Sequence, residues 1–139
     1  MYLVDTNIWL ERLLEQARSE EVRQFLDRVP TDQVLITDFS FHSIGVIFHR
    51  LKRRVDFLTF VQDVLIDGAI AVVALEPLHM VRVVEVMNTQ QLDFDDAYQY
   101  VAAQQYGAEL VSFDGDFDGT PLGRRTPAQV RALLPEDES

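Results

Sequence analysis

Cysteine is missing from the 139 residues, which removes a disulfide framework, a thiolate metal site and a thiol nucleophile together. Any metal must then be held by oxygen or histidine, and the absence accords with a reducing cytoplasm. Cations are scarce as well: 12 Lys and Arg against 23 Asp and Glu leave a net charge of −11, and Lys52 is the sole lysine. That balance argues against non-specific binding to nucleic acid, whose phosphates are normally met by clustered Lys and Arg. Long hydrophobic runs are also lacking. The longest, "AIAVVAL" at 69–75, is far too short to span a bilayer, and Asp5 interrupts the N-terminus at once. The chain therefore reads as soluble, unexported and cytoplasmic, with no membrane partner. No internal repeat, linker or low-complexity segment divides it.

What is present suffices for one core, with 47% hydrophobic and 10% aromatic residues, and the expectation is a single domain over 1–139. "YLVD" at 2–5 is a short apolar strand ending in an acid, and Asp5 or Thr6 can cap the amphipathic helix that follows through Leu14. "SEEVRQFLDRV" at 19–29 is a second helix with acids in its first turn. "VLIT" at 34–37 is a second strand. Apolar residues at helical spacing from Ser40 to Leu51, and again over 55–66, predict two consecutive helices. A third strand at 70–75 leads to a helix beginning near Pro77. Another helix runs from about Asp93 to Tyr106 and stops at Gly107, with Phe94, Ala97, Tyr98, Val101 and Ala102 as its buried stripe. "AELVSF" at 108–113 is the last strand. "TPAQVRALL" then carries a capping-box pattern from Thr126 to Gln129, and "PEDES" is a frayed tail. Short apolar strands alternating with helices predict an α/β fold: a central, mostly parallel sheet flanked by helices in three layers.

Acids gather where strands would end or helices begin: Asp5, then Asp93, Asp95 and Asp96 in "LDFDDAYQY", then Asp114, Asp116 and Asp118 in "SFDGDFDG". The last run begins like a calcium-binding EF-hand loop. That template needs a bidentate acid at its twelfth position, which is here Arg125, and a helix before it, where an apolar strand stands instead. In a parallel sheet the C-terminal strand ends share one edge, so the three groups can converge. On the helix at 93–106, Asp93, Asp96 and Tyr100 fall along one flank, Asp96 pointing toward the strand ends and Asp95 away. Carboxylates forced together repel and raise one another's pKa unless a cation sits among them. The cluster thus predicts a hard metal, Mg²⁺ or Mn²⁺, held through oxygen. Taken singly, each acid has a structural alternative: Asp5 and Asp93 as helix caps, Asp114 to Asp118 as turn residues. Asp96 has no capping role if Asp93 is the cap.

"YLVDTNIWL" near the start, "DFDDAYQYVAAQQYGAELVSFDGDF" near the end, and the order of elements between them resemble the PIN-domain ribonucleases, at a size similar to the VapC-like toxins of bacterial toxin–antitoxin pairs. The resemblance covers nearly the whole chain. It implies metal-dependent hydrolysis of RNA, single-stranded or structured, by Asp5, Asp96, Asp114 and Asp116, the same four acting as metal ligands. Thr6, Asn7 and Ser112 match positions that support those acids by hydrogen bonding, Asp93 lies beside them, and Asp118 is left as a turn residue. A cognate antitoxin seated over the first helices is also implied, and a homodimer is compatible with it. One position departs from the pattern. Toxin-type members carry a Glu on the helix after the second strand, where "ITDFSFHSIGVIF" aligns Ser43, and a neutral hydroxyl is a poor anchor for Mg²⁺. The alternative expectation is therefore a degenerate PIN domain that binds RNA or protein with little catalysis. A phosphatase working through an aspartyl-phosphate at Asp5 would need a second acid at position 7, which is Asn. Among the cations of "HRLKRR", Arg50 and Arg54 are assigned to the flank of Ser43 as candidate RNA-phosphate contacts. Lys52 and Arg53 are read as favourable charges at a helix C-terminus.

Overall fold

The computed structural model describes residues 1–135, so all but the first residue of the expected frayed tail lies outside the described residues. Four strands, β1 (Tyr2–Val4), β2 (Val34–Thr37), β3 (Ala71–Val73) and β4 (Glu109–Val111), form one sheet in the order β3-β2-β1-β4. All three pairings are parallel. The helices are α1 (Thr6–Leu13), α2 (Ser19–Arg28), α3 (Asp38–Arg50), α4 (Arg54–Phe60), α5 (Met80–Gln90), α6 (Phe94–Gln105) and α7 (Pro127–Leu133).

Alternation along the strands sorts the core into two halves. Leu3, Leu35 and Leu110 are in register across the central strands. They face one cluster with Val83 and Val86 of α5 and Ala97, Val101 and Ala102 of α6. Val4, Ile36 and Val111 face the other, with Trp9 of α1, Phe25 of α2, Ile44 and Phe48 of α3 and Val130 of α7. The central strands are thus apolar on both sides, as a sheet covered on both faces requires. At ~25 cal/mol per Å² of apolar surface, each fully buried Leu or Ile adds roughly 1.5–3 kcal/mol, which is why such short strands persist.

Some boundaries differ from the sequence reading. β3 and β4 each keep only three residues of the six expected. The helix expected from Ser40 begins at Asp38, because the Thr37 hydroxyl caps it by accepting from Ser40 N (3.0 Å). Pro77 opens a 3₁₀ turn, Pro77–His79, before α5. The segment expected as one helix over 55–66 is α4 followed by a π-helical stretch, Val61–Asp67. The box at Thr126 forms reciprocally: its hydroxyl accepts from Gln129 N (3.2 Å) and its N–H donates to Gln129 Oε1 (2.9 Å).

Candidate metal centre

Because β1 and β4 are adjacent, the residues that leave them emerge side by side. Asp5 N–H donates to Val111 O (2.9 Å), so the pairing continues to the very end of both strands. The Asp5 carboxylate caps α1 and turns inward, only 6% exposed. Its Oδ1 accepts from Thr6 N (2.8 Å) and Gln99 Nε2 (2.9 Å), and its Oδ2 from Ser112 Oγ (2.7 Å). Burial pushes the Asp5 carboxyl above the usual carboxylate range against these three bonds, and Asp114 adds to the rise. Ser112 is the hub: its Oγ also accepts from Asn7 Nδ2 (3.2 Å) and from Asp114 N (3.0 Å), while Asn7 Oδ1 receives Phe113 N (3.1 Å).

Just past β4, Asp114 accepts from Asp116 N (2.9 Å), folding Gly115–Phe117 into a 3₁₀ turn that brings the two acids to one side. Asp96, in the first turn of α6, faces them. Asp96, Asp114 and Asp116 each offer a carboxylate oxygen, and these oxygens all lie within 4.8 Å of one another. The Asp96 carboxyl is pushed up to about 7, first by burial and then by the charges of Asp114, Asp5, Asp116 and Asp93. Asp5, Asp96 and Asp114 line a common cleft of about 260 Å³. Asp5 lies there buried and hydrogen-bonded, and Asp116, close to Asp96 and Asp114, is exposed. An all-oxygen donor set whose members raise one another's pKa fits a hard divalent cation.

A family model described as PIN domain matches residues 2–121. The chain belongs to the PIN domain family. Among curated proteins none matches the sequence. Several solved structures share the fold. FitAB bound to a DNA fragment superposes with a TM-score of 0.80 at 19% identity, covering 92% of this chain and 96% of that one. A Sarcin-Ricin loop cleaving toxin, VapC20 of Mycobacterium tuberculosis, superposes at 0.71 with 16% identity, covering 85% and 93%. A toxin–antitoxin complex from Klebsiella pneumoniae gives 0.70 at 24% identity, covering 91% and 98%.

The PIN fold gathers most of the residues singled out from sequence and leaves some apart. Ser43 lines the acidic cleft. Asp93 precedes α6 without a side-chain capping bond and is exposed. Asp95, expected to point away, lines the cleft as well, because the first turn of α6 lies at its mouth. Phe94, expected in the buried stripe, is 45% exposed, while α6 is buried from Ala97 through Ala103 on every side. Tyr100, placed on the Asp96 flank, is instead core, its hydroxyl accepting from Leu122 N (3.2 Å). Arg54 does not share a flank with Ser43: it begins α4, packs on His49 (Nη2 to Nδ1 3.0 Å) and borders a separate cavity with Lys52 and Arg53. Arg50 is two helical turns beyond Ser43, about 10 Å along the axis of α3. Arg124 is nearer the acids, its Nη1 donating to Ser112 O (3.1 Å). Its guanidinium also holds both oxygens of Asp118 (2.9 and 3.1 Å), and Arg125 pairs with Glu109 (3.1 Å).

Sequence reasoning missed Gln99. It is 1% exposed. Its amide donates to Asp5 Oδ1 and to Ser40 Oγ (2.8 Å) and accepts from Thr37 Oγ1 (2.7 Å). Ser40 in turn shares a 2.7 Å hydrogen bond with Thr6 Oγ1. One signal was available: Gln99 follows Asp96 by three residues and therefore rises from the same side of the helix.

Proposed function

We propose that this PIN domain is a divalent-metal-dependent endoribonuclease acting on single-stranded RNA, and that it serves as the toxin of a pair whose antitoxin holds it in check. The observation that carries the reading is the convergence of Asp96, Asp114 and Asp116 around one point, beside a cleft with neither Lys nor Arg in its lining. These three would hold Mg²⁺ or Mn²⁺, with Asp5 behind them. Such an ion supplies Lewis-acid stabilisation of charge on a phosphate and a lowered pKa for water. The chain contributes alignment and proton control. Ser112, Thr6 and Gln99 fix both oxygens of Asp5, Asn7 and Ser112 tie the end of β4 to α1, and the Asp96 carboxyl, raised by burial and by its neighbours' charges, would be returned to its ionised form by a cation among them. The Klebsiella neighbour is described as a toxin–antitoxin complex, which supports an antitoxin as the protein partner.

Cleavage of a single-stranded RNA should require Mg²⁺ or Mn²⁺. Asp96→Asn or Asp116→Asn should lower it by more than about a hundredfold, as loss of transition-state charge stabilisation does, without unfolding the chain. Undiminished cleavage in excess chelator would overturn the metal mechanism. A second reading, a binding module with little catalysis, is favoured by one observation: a neutral Ser43 lines the cleft among acids. Ser43→Glu separates the two. In the nuclease it adds a carboxylate to the site and should tighten metal binding and raise cleavage. In a non-catalytic module it leaves RNA intact.

A further inference from the structure

The acidic cleft carries four carboxylates, from Asp5, Asp95, Asp96 and Asp114, and neither Lys nor Arg lines it. Its lining thus supplies no side-chain cation for phosphate neutralisation, the usual source of nucleic-acid affinity, and leaves that to a bound metal. Besides oxygen donors it is lined by Leu10 and by one aromatic ring, Phe39, half-buried at the start of α3. Phe39 packs on Tyr98 with centroids 6.0 Å apart, and Tyr98 packs on Phe94 at 6.3 Å. Tyr98 is held from two directions: its hydroxyl donates to Asp38 Oδ1 (2.8 Å) and accepts from Leu75 N (3.0 Å). The chain of rings thus runs from the cleft wall, through a fixed central ring, to Phe94, which is 45% exposed immediately before Asp95 and Asp96.

We propose that Phe39 and Phe94, braced by Tyr98, form a nucleobase-stacking subsite beside the acids, which grips unpaired bases next to the scissile phosphate of an RNA strand. The proposal rests on the nuclease reading. It resolves the conflict between that reading and a net charge of −11, because affinity then comes from π-faces, with phosphate contacts secondary. Stacking is sequence-tolerant and needs bases that are free of a partner, so the subsite selects single strands over duplex.

The test is fluorescence anisotropy with the full chain, Ca²⁺ replacing Mg²⁺, and two labelled probes of equal length: an oligoadenylate and an abasic ribose-phosphate strand. The oligoadenylate should bind at least about tenfold more tightly, with Phe39→Leu and Phe94→Ser each raising its Kd about five- to tenfold, the lower part of the range for one lost stack. Neither variant should change the Kd of the abasic strand or of the metal measured by calorimetry. The logarithmic salt dependence should be shallow, its slope magnitude below about 2 (Z of two or three at roughly −0.7 each). Phe94 is exposed at a helix start, so its variant remains informative should Phe39→Leu perturb the fold. Equal binding of both probes, or wild-type affinity in both variants, overturns the subsite. If such a protein still cleaves RNA with metal, only the subsite falls. If wild type neither binds nor cleaves RNA, the nuclease reading falls and takes the subsite with it.

Discussion

Each polar atom of the Gln99 side chain is committed: oxygen to Thr37, nitrogen to Ser40 and Asp5. Replacing it with Leu takes one partner from each of two buried hydroxyls, Thr37 and Ser40, and from one carboxylate oxygen of Asp5, at roughly 1–3 kcal/mol for each group left unsatisfied. Gln99→Leu should therefore lower the melting temperature and also weaken metal binding, since Asp5 loses one of the three bonds that orient it. Unchanged metal affinity in a folded Gln99→Leu would mean that Asp5 is held well enough without it. Asp118 makes the opposite case. Its carboxylate is already matched by the Arg124 guanidinium, so Asp118→Asn should leave metal affinity nearly unchanged while Asp116→Asn weakens it. Equal losses by calorimetry would restore the calcium-loop reading of "DGDFDG". That Asp5, Asp96, Asp114 and Asp116 would lie near one another was legible because parallel strands bring their C-terminal ends to one edge. Gln99 was not, because a glutamine inside a helix pattern reads as solvated surface, and only the tertiary fold turns that side inward.

At the level of elements, periodicity predicted the kinds of segment well and their interruptions poorly. "VDFLTFVQDVLI" keeps helical spacing throughout, yet the helix widens after Phe60, with Gly68 N donating to Asp63 O (3.0 Å) in the i to i−5 pattern. Nothing in residue type announces this; the stretch closes with Ile70 N–H reaching Val64 O (3.3 Å). The widened turn brings carbonyls so near Gly68 that an added Cβ would lie 2.6 Å from Val64 O and 2.9 Å from Asp63 O. Gly68→Ala should cost about 1–3 kcal/mol, as overpacking does, seen as a shifted denaturation midpoint. Gly119→Ala, with nothing within 4 Å of its Cβ position, should stay within about 0.5 kcal/mol. A midpoint at Gly68→Ala equal to wild type would show that the turn relaxes freely. For α6 the expected stripe held at Ala97, Tyr98, Val101 and Ala102 and failed at Phe94. A helix seated between α5 and the sheet is buried all round, so amphipathic reasoning put Phe94 inside, where the first turn in fact reaches solvent.

For the molecule as a whole, the folded pKa of Asp96 stands at about 7, well above an unfolded Asp, and Asp5 is raised too. Below the unfolded pKa both states are protonated and no penalty arises. As pH climbs from about 4 to about 7 the unfolded chain releases its protons first, so the metal-free fold loses stability across that window. The melting temperature without metal should fall between pH 5 and pH 7.5, and millimolar Mg²⁺ or Mn²⁺ should offset the fall by binding the native state. A metal-free melting temperature that rises over the same window would contradict the charge crowding at the site. The position of β1 between β2 and β4 has a different consequence, in time. Asp5 is synthesised 107 residues before its hydrogen-bond partner Ser112, and α7, whose Ala128 N–H donates to Glu21 Oε1 (3.0 Å), comes later still. Loops that long close slowly and late. A nascent chain that has emerged through α6 still lacks the strand that completes the acid cluster, so any nuclease activity would switch on only once β4 and the turn after it are made. A partner binding the early helices would have the length of translation in which to arrive.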